Sequence, residues 1–165
     1  MRSREQFIEK YAQSHANPAN QVIHLVCVPA IFAATAALGW VVPLGRLLPR
    51  VPVEWAHWIN LGTLGALPVL AFYARLGLPS LLTGLGWLAL SFGACVAVQA
   101  SGVSLLWSAA AVWLVAWVVQ VYGHRLEGAK PSFLDDLVFL LIGPLFVQDK
   151  LLRLARTGSM HPVGH

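Results

Sequence analysis

Seven residues in two short stretches carry most of the chemistry available to this chain. In HANPANQVIH, residues 15–24, His15, Asn17, Asn20 and His24 stand at the edge of a long apolar run. Far downstream, QVYGHRLE, residues 120–127, holds Gln120, His124 and Glu127. Asn20 and His24 are spaced i and i+4, and Gln120, His124 and Glu127 are spaced i, i+4 and i+7. Each set forms one stripe wherever its stretch is helical. Polar and ionisable groups at the edge of a membrane segment are costly and point to function. Two or three imidazoles with a carboxylate suit Fe(II), Zn or Cu. A face of two histidines and one carboxylate with open positions suits oxygen-activating iron. Asn and Gln can hydrogen-bond the ring nitrogens left free and so fix the tautomers. Taken singly, a histidine near a membrane boundary is more often an interface or packing residue. A haem held between His24 and His124 in an electron carrier, or a polar cluster that merely staples helices in a lipid-binding or scaffold protein, are the rival readings.

The elements that must position these residues are membrane helices. The chain has 165 residues, 58% hydrophobic and 11% charged, with mean hydropathy +0.68. Soluble domains carry about 25% charged residues. The expected fold is an all-α polytopic membrane bundle, one domain over residues 1–156 with a flexible tail at 157–165. Residues 3–15 form an amphipathic helix at the membrane surface, with Phe7, Tyr11 and His15 on one face. The polar N-terminus is too long for a secretory n-region, so the first apolar stretch is expected to remain as a helix. Asn17 caps and Pro18 opens the first span, about Pro18 to Val42. Pro29 frees the Leu25 carbonyl beside His24. His15 and His24, nine apart, would face opposite ways on one straight helix, and the break at Pro18 lets both turn to one ion.

Three more spans are expected at about Trp55–Leu76, Ser80–Ala100 and Val103–Tyr122. Ser132 and Asp135 look like a capping box for a last helix, with Asp135 and Asp136 in its first turn. Only about 12 uncharged residues, Pro144 among them, separate Asp136 from Asp149, which suits an interfacial or re-entrant helix better than a span. Cys27 and Cys95 lie in apolar runs and read as small buried hydrophobes. His57, between Trp55 and Trp58, fits an aromatic belt. Trp107, Trp113 and Trp117 read as lipid-facing or packing residues. His161 and His165 read as solvated.

With four spans and the N-terminus inside, Arg2, Arg4, Lys10, Arg75, Arg125, Lys130, Lys150, Arg153 and Arg156 lie on the inner side. Arg46 and Arg50 lie outside. This bias places both termini in the cytoplasm, at the inner membrane of a bacterium or the endoplasmic reticulum of a eukaryote. The net charge of +4 therefore reports topology and anionic lipid, and no basic-aromatic motif for nucleic acid is present. An even number of crossings also returns the end of span four to the side where span one begins. The two polar stretches can then meet.

YAQSHANPANQVIHLVCVPA resembles the opening motif of a small membrane family, H-x-N-x-x-N-x-x-x-H before an apolar segment with a proline. QVYGHRLEGAKPSFLDDLVFLLIGPLFVQD resembles its second motif, a G-H with a following acidic residue, a basic-Pro pair and a late P-x-F segment. The chain is thus similar to the 2-hydroxy fatty acid dioxygenases, whose fungal member acts in phytosphingosine breakdown. The resemblance covers about 50 residues, and the middle of the chain matches only as generic membrane sequence. It implies Fe(II)-dependent alpha-oxidation, in which a 2-hydroxy fatty acid and O2 give the acid one carbon shorter and CO2. The positions carried over are His15, Asn17, Asn20, His24, His124 and Glu127. On that basis His15, His24 and His124 would hold the iron, and Glu127 would be a fourth ligand or, with His124, a proton-transfer group. Asn17, Asn20 and Gln120 would support the ligands, and Arg125 and Lys130 would attract the substrate carboxylate. Asp149 stands where the family pattern leads one to expect a glutamate.

Overall fold

The computed structural model describes residues 2–128 and 138–158, in which the regular structure is helical throughout. Ser3 caps α1 (Arg4–Gln13) in a reciprocal box: its hydroxyl accepts from the Gln6 N–H, and the Gln6 side chain accepts from the Ser3 N–H. Asn17 caps α2 (Pro18–Trp40) by accepting from the N–H groups of Ala19 and Asn20. Pro18 takes the first helical position, where a missing N–H costs nothing. A 3₁₀ turn, Leu44–Leu47, and the single-turn α3 (Val53–Ala56) follow. Then come α4 (Leu61–Arg75), α5 (Leu78–Ala100), α6 (Leu105–Glu127) and α7 (Phe139–Thr157). Gly77 turns the chain between α4 and α5 at φ +105°, and Gly128 ends α6 at φ +70°.

The expected second span is not one helix. Asn60 starts α4 afresh: its side chain accepts from the Thr63 N–H at 2.9 Å, and the Thr63 hydroxyl donates to the Trp58 carbonyl at 2.7 Å. Such local bonds satisfy the backbone in a non-helical form. Among the described residues, three helices are long and apolar enough to cross a membrane: α2 with the turn after it, α5 and α6. With 15 residues, α4 is only about 22 Å long. It still joins the two ends of the bundle. A Cβ on Gly39 at the end of α2 would lie 2.8 Å from the Gly62 Cα of α4. At the other end of α4, the Tyr73 hydroxyl donates to the Leu141 carbonyl of α7 at 2.7 Å.

Apolar side chains cluster at both ends. Phe7, Tyr11, Tyr73, Phe139, Ile142, Leu145 and Phe146 join α1, α4 and α7. Ala37, Trp40, Cys95, Leu105 and Ala109 join α2, α5 and α6. Both cysteines are free and buried. Leu82, Leu85 and Leu90 on α5 and Leu114, Val115 and Val118 on α6 are exposed, an apolar belt suited to lipid rather than water. The terminal helices do not lie apart from the bundle. α1 buries Phe7 and Tyr11, and α7 buries its first half while the half bearing Arg153 and Arg156 is exposed. An Arg4–Asp149 ion pair ties α1 to α7. The expected capping box at Ser132 and Asp135, Asp136, Lys130 and the tail histidines fall outside the described residues.

Candidate metal centre

α1 ends at Gln13 and α2 begins at Pro18, and between them His15 folds back over α1. Its ring stacks on Tyr11 at 4.1 Å between centroids. Its Nδ1 lies 2.6 Å from the Tyr11 carbonyl oxygen. Nearly two turns into α2, Nδ1 of His24 lies 2.9 Å from the Asn20 carbonyl oxygen. A carbonyl can only accept, so both rings carry their proton on Nδ1. Their Nε2 atoms, 2.9 Å apart, therefore present two lone pairs to each other in a buried place. Moving one proton to Nε2 would relieve that contact but leave an Nδ1 lone pair against a carbonyl. A divalent cation held by both Nε2 atoms would take up the two lone pairs while each Nδ1 keeps its carbonyl.

His124, from α6, completes the cluster. Its ring centroid is 5.1 Å from that of His15 and 4.9 Å from that of His24. Ligand-capable atoms of His15, His24 and His124 all lie within 4.8 Å of one another, and all three residues are buried. The His124 Nδ1 is buried without a hydrogen-bond partner, a cost that a ligand would remove. Burial, then the neighbouring His24, lowers the pKa of His15 to about 3, against a weaker opposing pull from the Tyr11 carbonyl. His15 is thus neutral at physiological pH, the form that binds metal. Three neutral imidazoles fit a divalent transition metal and leave its charge uncompensated, ready for an anionic ligand.

Glu127 sits elsewhere than in the imidazole cluster. Its carboxylate accepts from the backbone N–H of Ala16 at 2.8 Å, from that of Asn17 at 3.0 Å, and from the Asn20 side-chain amide at 2.9 Å. These donors lie at the positive end of α2, where an anion is favoured. The carboxylate expected on the metal is committed to fastening α6 to the α1–α2 break, which is what holds His15 over His24. Asn17 helps by donating to the Leu126 carbonyl at 3.2 Å. Asn20 divides its groups: the amide nitrogen goes to Glu127, the backbone carbonyl to His24, and the side-chain oxygen is unpartnered. The side chain of Gln120 is buried one turn before His124, with its oxygen unpartnered. Arg125 is exposed.

Several contributors escaped the sequence reading. Gly123 lets α6 close on α2, because a Cβ there would lie 2.5 Å from the Asn20 Oδ1. Gln21 donates to the His15 carbonyl at 2.8 Å and accepts from Lys150 at 3.1 Å. Burial, then Arg153, lowers the pKa of Lys150. Tyr11, by contrast, carried a signal, its i, i+4 spacing to His15. Beside His124 lies a cavity of about 640 Å³, walled mainly by apolar side chains of α2, α4 and α6 and roofed by the start of α7.

The family model described as 2-hydroxy-palmitic acid dioxygenase Mpo1-like matches residues 1–154. No curated protein and no solved structure matches the chain. The chain belongs to this dioxygenase family.

Proposed function

We propose that this chain is an integral membrane dioxygenase that uses Fe(II) and O2 to convert a 2-hydroxy fatty acid to the acid one carbon shorter, with CO2 and water. The observation that carries the reading is the facing pair of Nε2 lone pairs beside a third buried imidazole, at the head of an apolar cavity. The conversion balances without another reductant. The C1–C2 bond breaks, C2 goes from alcohol to carboxyl, C1 leaves as CO2, and one O2 accepts four electrons.

Bound to His15, His24 and His124, Fe(II) would offer positions for the substrate's hydroxyl and carboxylate together and a means of reducing O2. The chain's own residues supply orientation. The Tyr11 and Asn20 carbonyls hold two rings in one tautomer, so the metal-binding nitrogens are aimed before the ion arrives. Among the described residues no carboxylate joins the three imidazoles, which keeps the positive charge for the substrate anion. Lys150, held against Gln21, adds positive charge at this end of the bundle. The free Gln120 oxygen can accept from the 2-hydroxyl proton and so favour one placement of C2. Glu127 acts through the positions of Ala16, Asn17 and Asn20. Holding the reacting groups in place is the kind of contribution worth several kcal/mol of barrier.

The membrane arrangement belongs to the same proposal. α4 crosses together with α2, α5 and α6, and both termini and the site lie on the cytoplasmic side. The shortness of α4 is accommodated by local thinning at modest cost. A haem carrier fits less well. Axial nitrogens on opposite sides of a haem stand about 4 Å apart, two metal–nitrogen bonds of about 2.1 Å. Each ring centre lies behind its own nitrogen, so a haem between His24 and His124 would set their ring centres roughly 6 Å apart; they stand 4.9 Å apart. The test is incubation of the iron-loaded protein in nanodiscs with 2-hydroxypalmitate and O2. Pentadecanoate detected by mass spectrometry supports the reading. Its absence with iron fully bound overturns it for that substrate.

A further inference from the structure

The cavity beside His124 runs away from the imidazoles along the bundle. α6 lies antiparallel to α2: His124 faces His24, and the Trp113 Nε1 donates to the Thr35 hydroxyl at 3.2 Å. α4 is likewise antiparallel to α2, with Gly62 against Gly39. Tyr11, Gln120 and His124 line the near end of the cavity, and Thr35, Gly65 and Trp113 line the stretch before Gly39 and Gly62. The far end is shut where α2 and α4 cross. A Cβ on Gly62 would lie 2.6 Å from the Ala36 carbonyl oxygen, so no space remains between the helices. α4 and α6 are not packed on one another as neighbours, which leaves a side opening toward lipid.

We propose that this cleft is the acyl-chain channel of the enzyme and that the Gly39–Gly62 crossing is its end stop, so that the chain selects its substrate by tail length. This rests on the reading that the site takes a 2-hydroxy fatty acid. From His24 to Gly39 α2 rises about 22 Å, at about 1.5 Å per residue. An extended chain advances about 1.2 Å per bond, since one residue of three bonds covers about 3.6 Å. With C1 and C2 at the imidazoles, the channel holds tails of acids up to roughly 20 carbons by these figures. A tail leaving a bilayer for the channel gains little, because both surroundings are hydrocarbon. Selection therefore works by exclusion: a chain that meets the crossing must buckle or spread the helices, which overpacks the site.

Gly65 is the position to test. A Cβ there would meet nothing within 4 Å, and Gly65 lines the cavity, as Thr35 and Trp113 do. Terminally brominated fatty acids report depth, because bromine quenches a tryptophan it touches and these acids lack the hydroxyl needed for turnover. Trp117 lies about 10 Å and Trp113 about 17 Å along α6 from His124, by helix rise. In nanodiscs, 10-bromodecanoate should quench the emission removed by Trp117→Phe. 16-bromohexadecanoate should quench that removed by Trp113→Phe. Gly65→Phe should weaken the long acid's quench at least about threefold and spare the short acid, through overpacking. Gly65→Leu, expected to act in the same direction more weakly, stands in if the phenylalanine variant does not fold.

Quenching independent of chain length, or unmoved by both Gly65 variants, means that bilayer lipid fills the cleft and overturns the inference. Turnover of 2-hydroxy acids alongside that result leaves the dioxygenase reading intact. A length-dependent pattern without turnover supports the channel and removes the dioxygenase reading.

Discussion

Because Nδ1 of His15 and of His24 each faces a backbone carbonyl, the two Nε2 lone pairs meet across 2.9 Å. Replacing His15, His24 or His124 by Ala should lower metal affinity by more than the 10–100-fold typical of losing a group that only orients a ligand. Equilibrium metal titration checks this. Glu127 should behave otherwise. Glu127→Ala strands the donors of Ala16, Asn17 and Asn20 and should cost about 2–3 kcal/mol of stability. Glu127→Gln keeps one acceptor and should bind a full equivalent of metal at a lower melting temperature; loss of metal without loss of stability would restore the carboxylate to the ion. The pKa of His15, lowered by burial from 6.5 to about 3, has a linkage consequence with a definite sign. The unfolded chain binds the proton and the folded chain does not, so stability is full above pH 6.5 and is lost as pH falls from there toward 3. The slope is up to about 1.4 kcal/mol per pH unit for one proton. Denaturation of the metal-free protein between pH 7.5 and 4.5 measures it. The imidazoles were legible in the sequence because spacing in helices reveals a shared stripe. The position of Glu127 was not, because two of its partners are backbone N–H groups that nearly every residue possesses.

Helix ends do much of the positioning. Asn17-Pro18 announced the start of α2 by cap chemistry, and α2 begins there. The run from Trp55 to Leu76 concealed a helix start, because Asn60 and Thr63 are two polar residues in an apolar stretch and hydropathy averages over them. The meeting of α2 and α6 depends on Gly123, whose lack of a side chain leaves no periodic mark. Gly123→Ala adds helix propensity worth up to about 1 kcal/mol. It also drives a methyl against the Asn20 Oδ1 and Ile23. The clash adjoins the amide that holds Glu127, so the variant should fold with lower thermal stability and bind metal more weakly. A variant as stable as the parent, with unchanged metal affinity, would mean the helices part without disturbing the site.

At the scale of the whole molecule, Lys and Arg placement and the return of α6 to the start of α2 point to the same topology. Arg50 lies at one end of the bundle and Arg156 at the other, both exposed, and Cys27 and Cys95 are buried free thiols. In oriented membranes, a membrane-impermeant thiol reagent added outside should label Arg50→Cys and spare Arg156→Cys. Labelling of both from outside would require an odd number of crossings. The cavity was invisible in the sequence: it is a space left between α2, α4 and α6, and no residue type signals an absence of neighbours.

The most direct measurement is a single turnover. Protein carrying one Fe(II) is mixed without oxygen with 2-hydroxypalmitate labelled with carbon-13 at C1, and O2 is then admitted. One labelled CO2 and one unlabelled pentadecanoate per iron, both absent from the His24→Ala protein, are the predicted result. Fully loaded iron that yields neither product, or turnover that survives loss of His24, would contradict a three-histidine dioxygenase centre.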